Sequence, residues 1–275
     1  MKHNHCKRLL ADLIPPALVN LARRVRGGQT EYIGDFASWE AAQRASGGYD
    51  SQLILTKVRD ALLKVKNGEA VYERDSVLFD EVEYSWPLLA GLLWIASLNG
   101  NKLNLVDFGG SLGSTYYQNL SFLAHLPELR WSVVEQQNFV ECGKQYFETD
   151  QVNFYNSLDE CYAEQHPDTI LLCSVLPYLE KPYELLQEIV ARGFTYVILD
   201  RTPFLMTGED RITVQKVPPQ IYEASYPAWF LNEGKFLRFM EQSYELVAEF
   251  DALSGEIALK GETAHEKGFV FRKRV

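Results

Sequence analysis

The sequence predicts an α/β protein: a doubly wound, mostly parallel sheet finished by an antiparallel hairpin and preceded by helices. Three observations predict it. Between residues 103 and 200, short apolar runs closed by glycine or acidic residues alternate with helical stretches, the spacing of parallel strands joined by right-handed crossovers. The β-rich runs 244–250 and 269–272 have no helix between them, so they should pair antiparallel. With 275 residues, 47% apolar and 23% charged, the chain can bury one such core.

The elements are read in order. Residues 7–26 carry Leu9, Leu10, Leu13, Ile14, Leu18, Leu21 and Val25 at helical spacing, broken at Pro15-Pro16. Residues 1–28 hold six basic side chains against Asp12 alone, a net of +5 within a chain whose formal net charge is −10. Two readings of this basic amphipathic leader stay open: a helix packed on the domain, or peripheral contact with an anionic membrane surface. A helical cap region follows over 29–100, with helices at 38–45 and 51–66 and an apolar stretch at 86–98 stopped by Asn99-Gly100. The domain proper spans 101–275. Its strands are expected at 103–108, 131–135, 152–155, 168–173 and 194–200, and its helices at 115–126, 139–147 and 182–191. A lid insertion is expected at about 203–240, carrying Arg211, Gln215, Tyr222, Tyr226 and Trp229. Those aromatic and polar groups suit stacking on sugar rings, and they serve equally to pack a cap.

The acidic body argues against nucleic acid, which needs a basic surface to release counterions. Cys6, Cys142, Cys161 and Cys173 are widely spaced with no C-x-x-C pair, which fits a reducing, cytoplasmic setting without disulfides. No metal site is expected from the scattered histidines. No apolar run reaches a membrane span.

The strongest local signal is Val106-Asp107-Phe108-Gly109-Gly110-Ser111-Leu112-Gly113-Ser114. Ligands of such sheets bind beyond the carboxyl ends of the strands, where glycines let the backbone approach and the next helix offers free N–H groups. Glu135 closes the second strand, where a carboxylate can accept both hydroxyls of a ribose or simply stay solvated. The fourth strand runs into Ser174 and Tyr178, polar groups that can also cap the following helix. The fifth ends at Asp200-Arg201: Asp200 can deprotonate an acceptor hydroxyl and Arg201 can clamp an anion, or the two can form a plain salt bridge.

Taken together, the segments 72–77, 86–90, 107–114, 133–136, 174–176, 200–203 and 225–227 resemble one family, and the match covers roughly residues 35–274. It is a bacterial family of Rossmann-like, class I methyltransferases dependent on S-adenosylmethionine (SAM), associated with surface-polysaccharide biosynthesis. The resemblance implies a SAM site at Asp107, Gly109, Gly110, Ser111, Gly113 and Glu135, with Asn156 or Ser157 near the adenine and Ser174 near the methionine part. It departs from the usual acidic residue and G-x-G-x-G at Ser111, which replaces the middle glycine. The implied acceptor is a sugar or sugar phosphate, a small molecule or part of a glycan. Glu73, Arg74, Asp75, Arg201, Arg211, Tyr222 and Tyr226 are the expected acceptor-binding residues. Asp200 or Tyr178 would serve as the base, since no histidine is placed for that role.

Two rivals are weighed. A nucleotide-sugar dehydrogenase or epimerase typically needs Tyr-x-x-x-Lys, and no tyrosine here has lysine four residues later. An inactive methyltransferase-like scaffold, bound to a glycosyltransferase or a membrane complex through its leader, gains from Ser111 and the missing histidine.

Overall fold

The computed structural model describes residues 30–48, 51–74, 77–219 and 223–274. The leader at 7–26 and the expected acceptor residues Asp75 and Tyr222 therefore lie outside the described residues.

Five strands form the parallel heart: β4 (Lys102–Phe108), β5 (Glu128–Val134), β6 (Val152–Tyr155), β7 (Thr169–Cys173) and β8 (Tyr196–Leu205). They lie in the order β6-β5-β4-β7-β8 and pair parallel throughout. The order reverses between β4 and β7, which makes that gap the place where a ligand can enter. The final hairpin, β11 (Tyr244–Leu259) and β12 (Glu262–Lys273), is antiparallel, and β12 lies antiparallel on the outer edge of β8. The architecture is thus mixed α/β with a mostly parallel central sheet and a closing hairpin.

Both faces of the sheet are covered. Helices α2 (Ser51–Lys66), α3 (Trp86–Leu98), α4 (Ser114–Leu123) and α5 (Gln137–Tyr146) bury Leu62, Leu92, Leu123 and Val140 against Leu105, Trp131 and Ile198 on one face. On the other face, α6 (Leu158–Gln165), α7 (Pro182–Arg192) and α8 (Glu233–Met240) bury Leu158, Leu186, Ile189, Phe236 and Met240 against Val106, Leu172 and Phe269. The near-continuous apolar strands follow from this double covering. Helix α3 buries Leu88, Leu89, Leu92, Ile95 and Ala96 on one side and leaves Trp86, Leu93 and Leu98 exposed.

The region before the sheet holds more than helices. A strand, β1 (Glu31–Phe36), precedes α1 (Trp39–Ala45), and a short hairpin of β2 (Tyr72–Arg74) and β3 (Val77–Phe79) follows α2. The fifth strand does not stop at residue 200 as its sequence pattern predicts. It bends at Arg201, which adopts a left-handed φ of 53°, and continues to Leu205.

Beyond that bend β8 changes neighbours. Up to Asp200 its inner edge pairs with β7; at Phe204 and Leu205 it pairs with β10 (Ser225–Asn232). Strand β10 then pairs antiparallel with β9 (Arg211–Lys216), and β9 with β1. The segment 203–240, expected as a lid, is therefore built largely of strands that continue the sheet past its carboxyl edge. The sheet splits at Asp200, and the split opens a cavity.

Candidate functional site

Three turns leave the carboxyl edge of the sheet side by side, and each contains a non-glycine residue with positive φ. Ser111 (56°) follows β4, Ser174 (56°) follows β7, and Arg201 (53°) lies within β8. Such conformations cost roughly 1 kcal/mol or more each for an L-residue and gather at functional sites. Ser174 is tied to the next strand by its N–H, which donates to the Asp200 carbonyl at 3.0 Å.

The glycines of the β4 turn answer to contacts. Gly109 has φ of 72°, and a Cβ there would stand 2.4 Å from Val175 Cγ2, directly across the switch point. A Cβ on Gly110 would stand 2.4 Å from the Asp107 carboxyl carbon. Gly113, with φ of 90°, turns the chain into α4. Asp107 is fully buried beneath this loop and accepts from the Trp131 indole N–H at 3.1 Å. Burial pushes its carboxyl up to about 7; the Trp131 bond opposes this and nearby Glu135 adds to it.

Glu135, just past β5, faces the loop. Its Oε1 accepts from the Ser111 N–H at 3.2 Å and its Oε2 from the Gln136 N–H at 2.8 Å. Burial raises its pKa, and these two backbone donors oppose the rise. Ser111 thus takes the left-handed geometry expected of glycine and points its N–H at the carboxylate. Ser157 caps α6, accepting from the Glu160 N–H at 3.1 Å.

Two adjoining cavities share Gly109, Glu135, Ser174, Tyr178 and Tyr226. The outer one, about 800 Å³, runs past Gln136, Asn156, Ser157, Val175 and Leu179. The inner one, about 420 Å³, lies in the split of the sheet and is lined by Glu73, Arg74, Ser85, Ser111, Asp200, Arg201 and Glu266 among others. Within it, Glu73 is 3% exposed and Asp200 1%. Ser114 donates to Glu73 Oε2 at 2.7 Å, and the Arg201 N–H donates to Asp200 Oδ1 at 2.9 Å. Burial pushes the Asp200 carboxyl up to about 6, with Arg201 and a Ser85 hydrogen bond opposing and Glu266 reinforcing. The Tyr178 hydroxyl donates to Gln215 Oε1 at 2.9 Å, and its ring meets Tyr226 edge-on at 5.4 Å.

The structure brings together Gly109, Gly110, Ser111, Glu135, Ser174, Tyr178, Asp200, Arg201, Glu73, Arg74 and Tyr226 at one place. Ser157 lines the outer cavity and not the inner one. Arg211 stands apart from both: it donates to Glu262 at 2.6 Å and to the Gly34 carbonyl at 3.3 Å, holding β9 to its neighbours. Arg74 donates to Glu83 at 3.0 Å and lies over the Phe79 ring. Sequence reasoning missed Ser85 and Glu266. Ser85 stands before Trp86-Pro87 and reads only as a helix start, while Glu266 sits in a charged hairpin that reads as solvated.

No protein-family model matches the chain, and no curated protein matches it. Among solved structures it is similar to the N-terminal domain of EvdMO1 in the presence of SAH and D-fucose, at 13% identity and a TM-score of 0.48 over 82% of this chain and 98% of that one. It is also similar to magnesium protoporphyrin IX methyltransferase (ChlM) from Synechocystis PCC 6803 with bound SAH, at 11% identity and a TM-score of 0.44 over 82% and 100%. A third is the glycopeptide N-methyltransferase MtfA complexed with sinefungin, at 10% identity and a TM-score of 0.44 over 67% and 92%. At these scores the likenesses carry no weight for the chemistry of this chain, which is read from its own residues.

Proposed function

We propose that the chain is a SAM-dependent methyltransferase that O-methylates a sugar or sugar phosphate in surface-polysaccharide biosynthesis. One observation carries the reading: a glycine turn at the switch point, with a carboxylate one strand away facing it, opens into a cavity that holds a buried carboxylate of raised pKa. The residues fit the cofactor. Gly109 and Gly110 let the turn close tightly on Val175 and Asp107 at the switch point, and α4 begins just past it with its positive dipole end. Glu135 would accept the ribose hydroxyls, Ser157 would lie by the adenine, and Ser174 by the methionine part.

SAM supplies an electrophilic methyl group on a sulfonium. The task left to the protein is to align an acceptor oxygen and receive its proton. Asp200 would take that proton, its raised pKa making it a better base than an ordinary carboxylate. Tyr178 would orient the acceptor from the shared wall of the two cavities. Glu73, Asp200 and Glu266 against Arg74 and Arg201 make the inner cavity richer in acceptors than in cations. That balance favours hydroxyl donors of a sugar ring over a phosphate. The polysaccharide role rests on the sequence resemblance, and an assignment to the inner face of the membrane rests on the basic amphipathic pattern of residues 7–26. Deleting residues 1–28 should abolish binding to anionic liposomes if the leader is the contact.

The scaffold reading has one observation in its favour: both Glu135 oxygens already accept backbone hydrogen bonds. Calorimetry and thermal shift with SAM or its demethylated product SAH separate the two. Ligand at about 100 times its Kd adds roughly 2.7 kcal/mol, and Glu135→Ala should remove the shift. Absence of heat and of any shift in the unaltered chain would favour the scaffold.

A further inference from the structure

We infer that helix α1, outside the parallel sheet, completes the cofactor cleft: Trp39 and Gln43 form its outer wall and hold the adenine ring. The inference rests on the SAM reading above. Trp39 and Gln43 line the outer cavity together with Glu135, Gln136, Asn156, Ser157, Val175 and Leu179. The strand ends supply the floor, with the ribose carboxylate and the α6 cap. Phe108, Tyr178 and Tyr226 also line this cavity, and Trp39 adds an indole from outside the parallel sheet.

Its placement is fixed before any ligand arrives. Ser38 caps α1, accepting from the Ala41 N–H at 3.2 Å, so the helix begins at Trp39 itself. Ala42 anchors the helix on Ile212 and Val214 of β9. The Trp39 indole stacks on Trp229 at 6.3 Å and 20°, and the Trp229 N–H donates to the Leu179 carbonyl at 3.0 Å. Leu179 lines the same cavity, so the carbonyl that pins the Trp pair belongs to the cleft wall. A half-buried indole held this way presents a rigid apolar face suited to a purine. Gln43, one helical turn on and exposed, offers an amide able both to donate to and accept from the base edge.

The test is calorimetry of SAH with the full chain and with Trp39→Ala, Trp39→Phe and Gln43→Ala. Removing the indole should weaken SAH roughly 5- to 100-fold, the range for loss of base–aromatic stacking. Trp39→Phe should restore most of the affinity, and Gln43→Ala should weaken binding by a smaller factor. Because Trp39→Ala can loosen α1, fluorescence provides a second measurement: SAH should quench the unaltered chain, and that quench should fall in Trp39→Phe. If the unaltered chain binds SAH while all three variants bind equally well, or the quench persists in Trp39→Phe, the inference fails and the SAM reading stands. If the unaltered chain binds no SAH, both fail together.

Discussion

Gly110 rests on the Asp107 carboxylate so closely that a methyl group at position 110 would stand 2.4 Å from its carbon. The contact is with a buried group that Trp131 already holds, so neither side can yield cheaply. Gly110→Ala should therefore displace the loop, costing about 1–3 kcal/mol of stability as overpacking does. SAH affinity should fall at least tenfold. Urea melts and calorimetry on the same sample check both, and unchanged SAH affinity would separate the loop from the cofactor.

Asp107 itself should leave a mark on the pH dependence of stability. Its native pKa is raised to about 7 from an ordinary 3.8, so the folded state holds the proton more tightly than the unfolded one. Stability from this group is then full below the unfolded value and is lost as pH rises toward 7. Asp107→Asn keeps an acceptor for the Trp131 N–H but places an amide where Oδ1 has no partner. Discounting that amide, the variant should be more stable than the parent by about 1–3 kcal/mol above pH 8. Near pH 5 the advantage should vanish or reverse. Denaturation midpoints at the two pH values decide it, and a difference independent of pH would refute the buried charge.

Much of this site was legible because it lies at strand ends. Asp107, Glu135, Ser174 and Asp200 each follow an apolar run, and a doubly wound sheet sends all such ends to one edge. What stayed hidden depends on contacts between distant parts of the chain. Strands β9 and β10 read as a lid because their aromatic and polar residues suit a substrate, while their pairing partners include β1, far back in the sequence. Arg211 reads as an acceptor-binding residue, and in the fold it donates to Glu262 and to the Gly34 carbonyl. Glu266 carries no functional signal in the sequence, and it is buried because β12 lies along the extended part of β8. The bend at Arg201 has no local signal, since nothing in Asp-Arg-Thr-Pro announces a left-handed residue.

Beside Glu266, Lys267 places a buried ammonium between Glu233 at 2.8 Å and Glu249 at 2.5 Å. Both Lys267 and Glu233 are 8% exposed, so the ion pair joins α8 to the hairpin out of water. Removing one partner of a buried pair leaves the other charge uncompensated. Lys267→Met should cost about 3 kcal/mol, whereas Arg272→Met, whose pair with Glu245 is exposed, should cost about 0.5 kcal/mol or less. Chemical denaturation of the two variants side by side tests the contrast, and equal losses would remove the buried pair from the account of stability.

Asp200 offers the sharpest test of the proposed chemistry. Its carboxyl is raised to about 6 by burial, with Glu266 reinforcing and Arg201 opposing. Only the ionised form can take a proton, so methyl transfer to a sugar hydroxyl should rise with pH through about 6 and level off above it. Asp200→Asn should lower turnover by about 10²–10⁴-fold while leaving SAH affinity near that of the parent. Glu266→Gln removes a like charge, so it should shift the midpoint of the profile to lower pH without abolishing activity. Initial rates across this range, with sugar acceptors and SAM, give all three answers. A profile unchanged in Asp200→Asn would take the base role from Asp200 and leave positioning alone to account for the reaction.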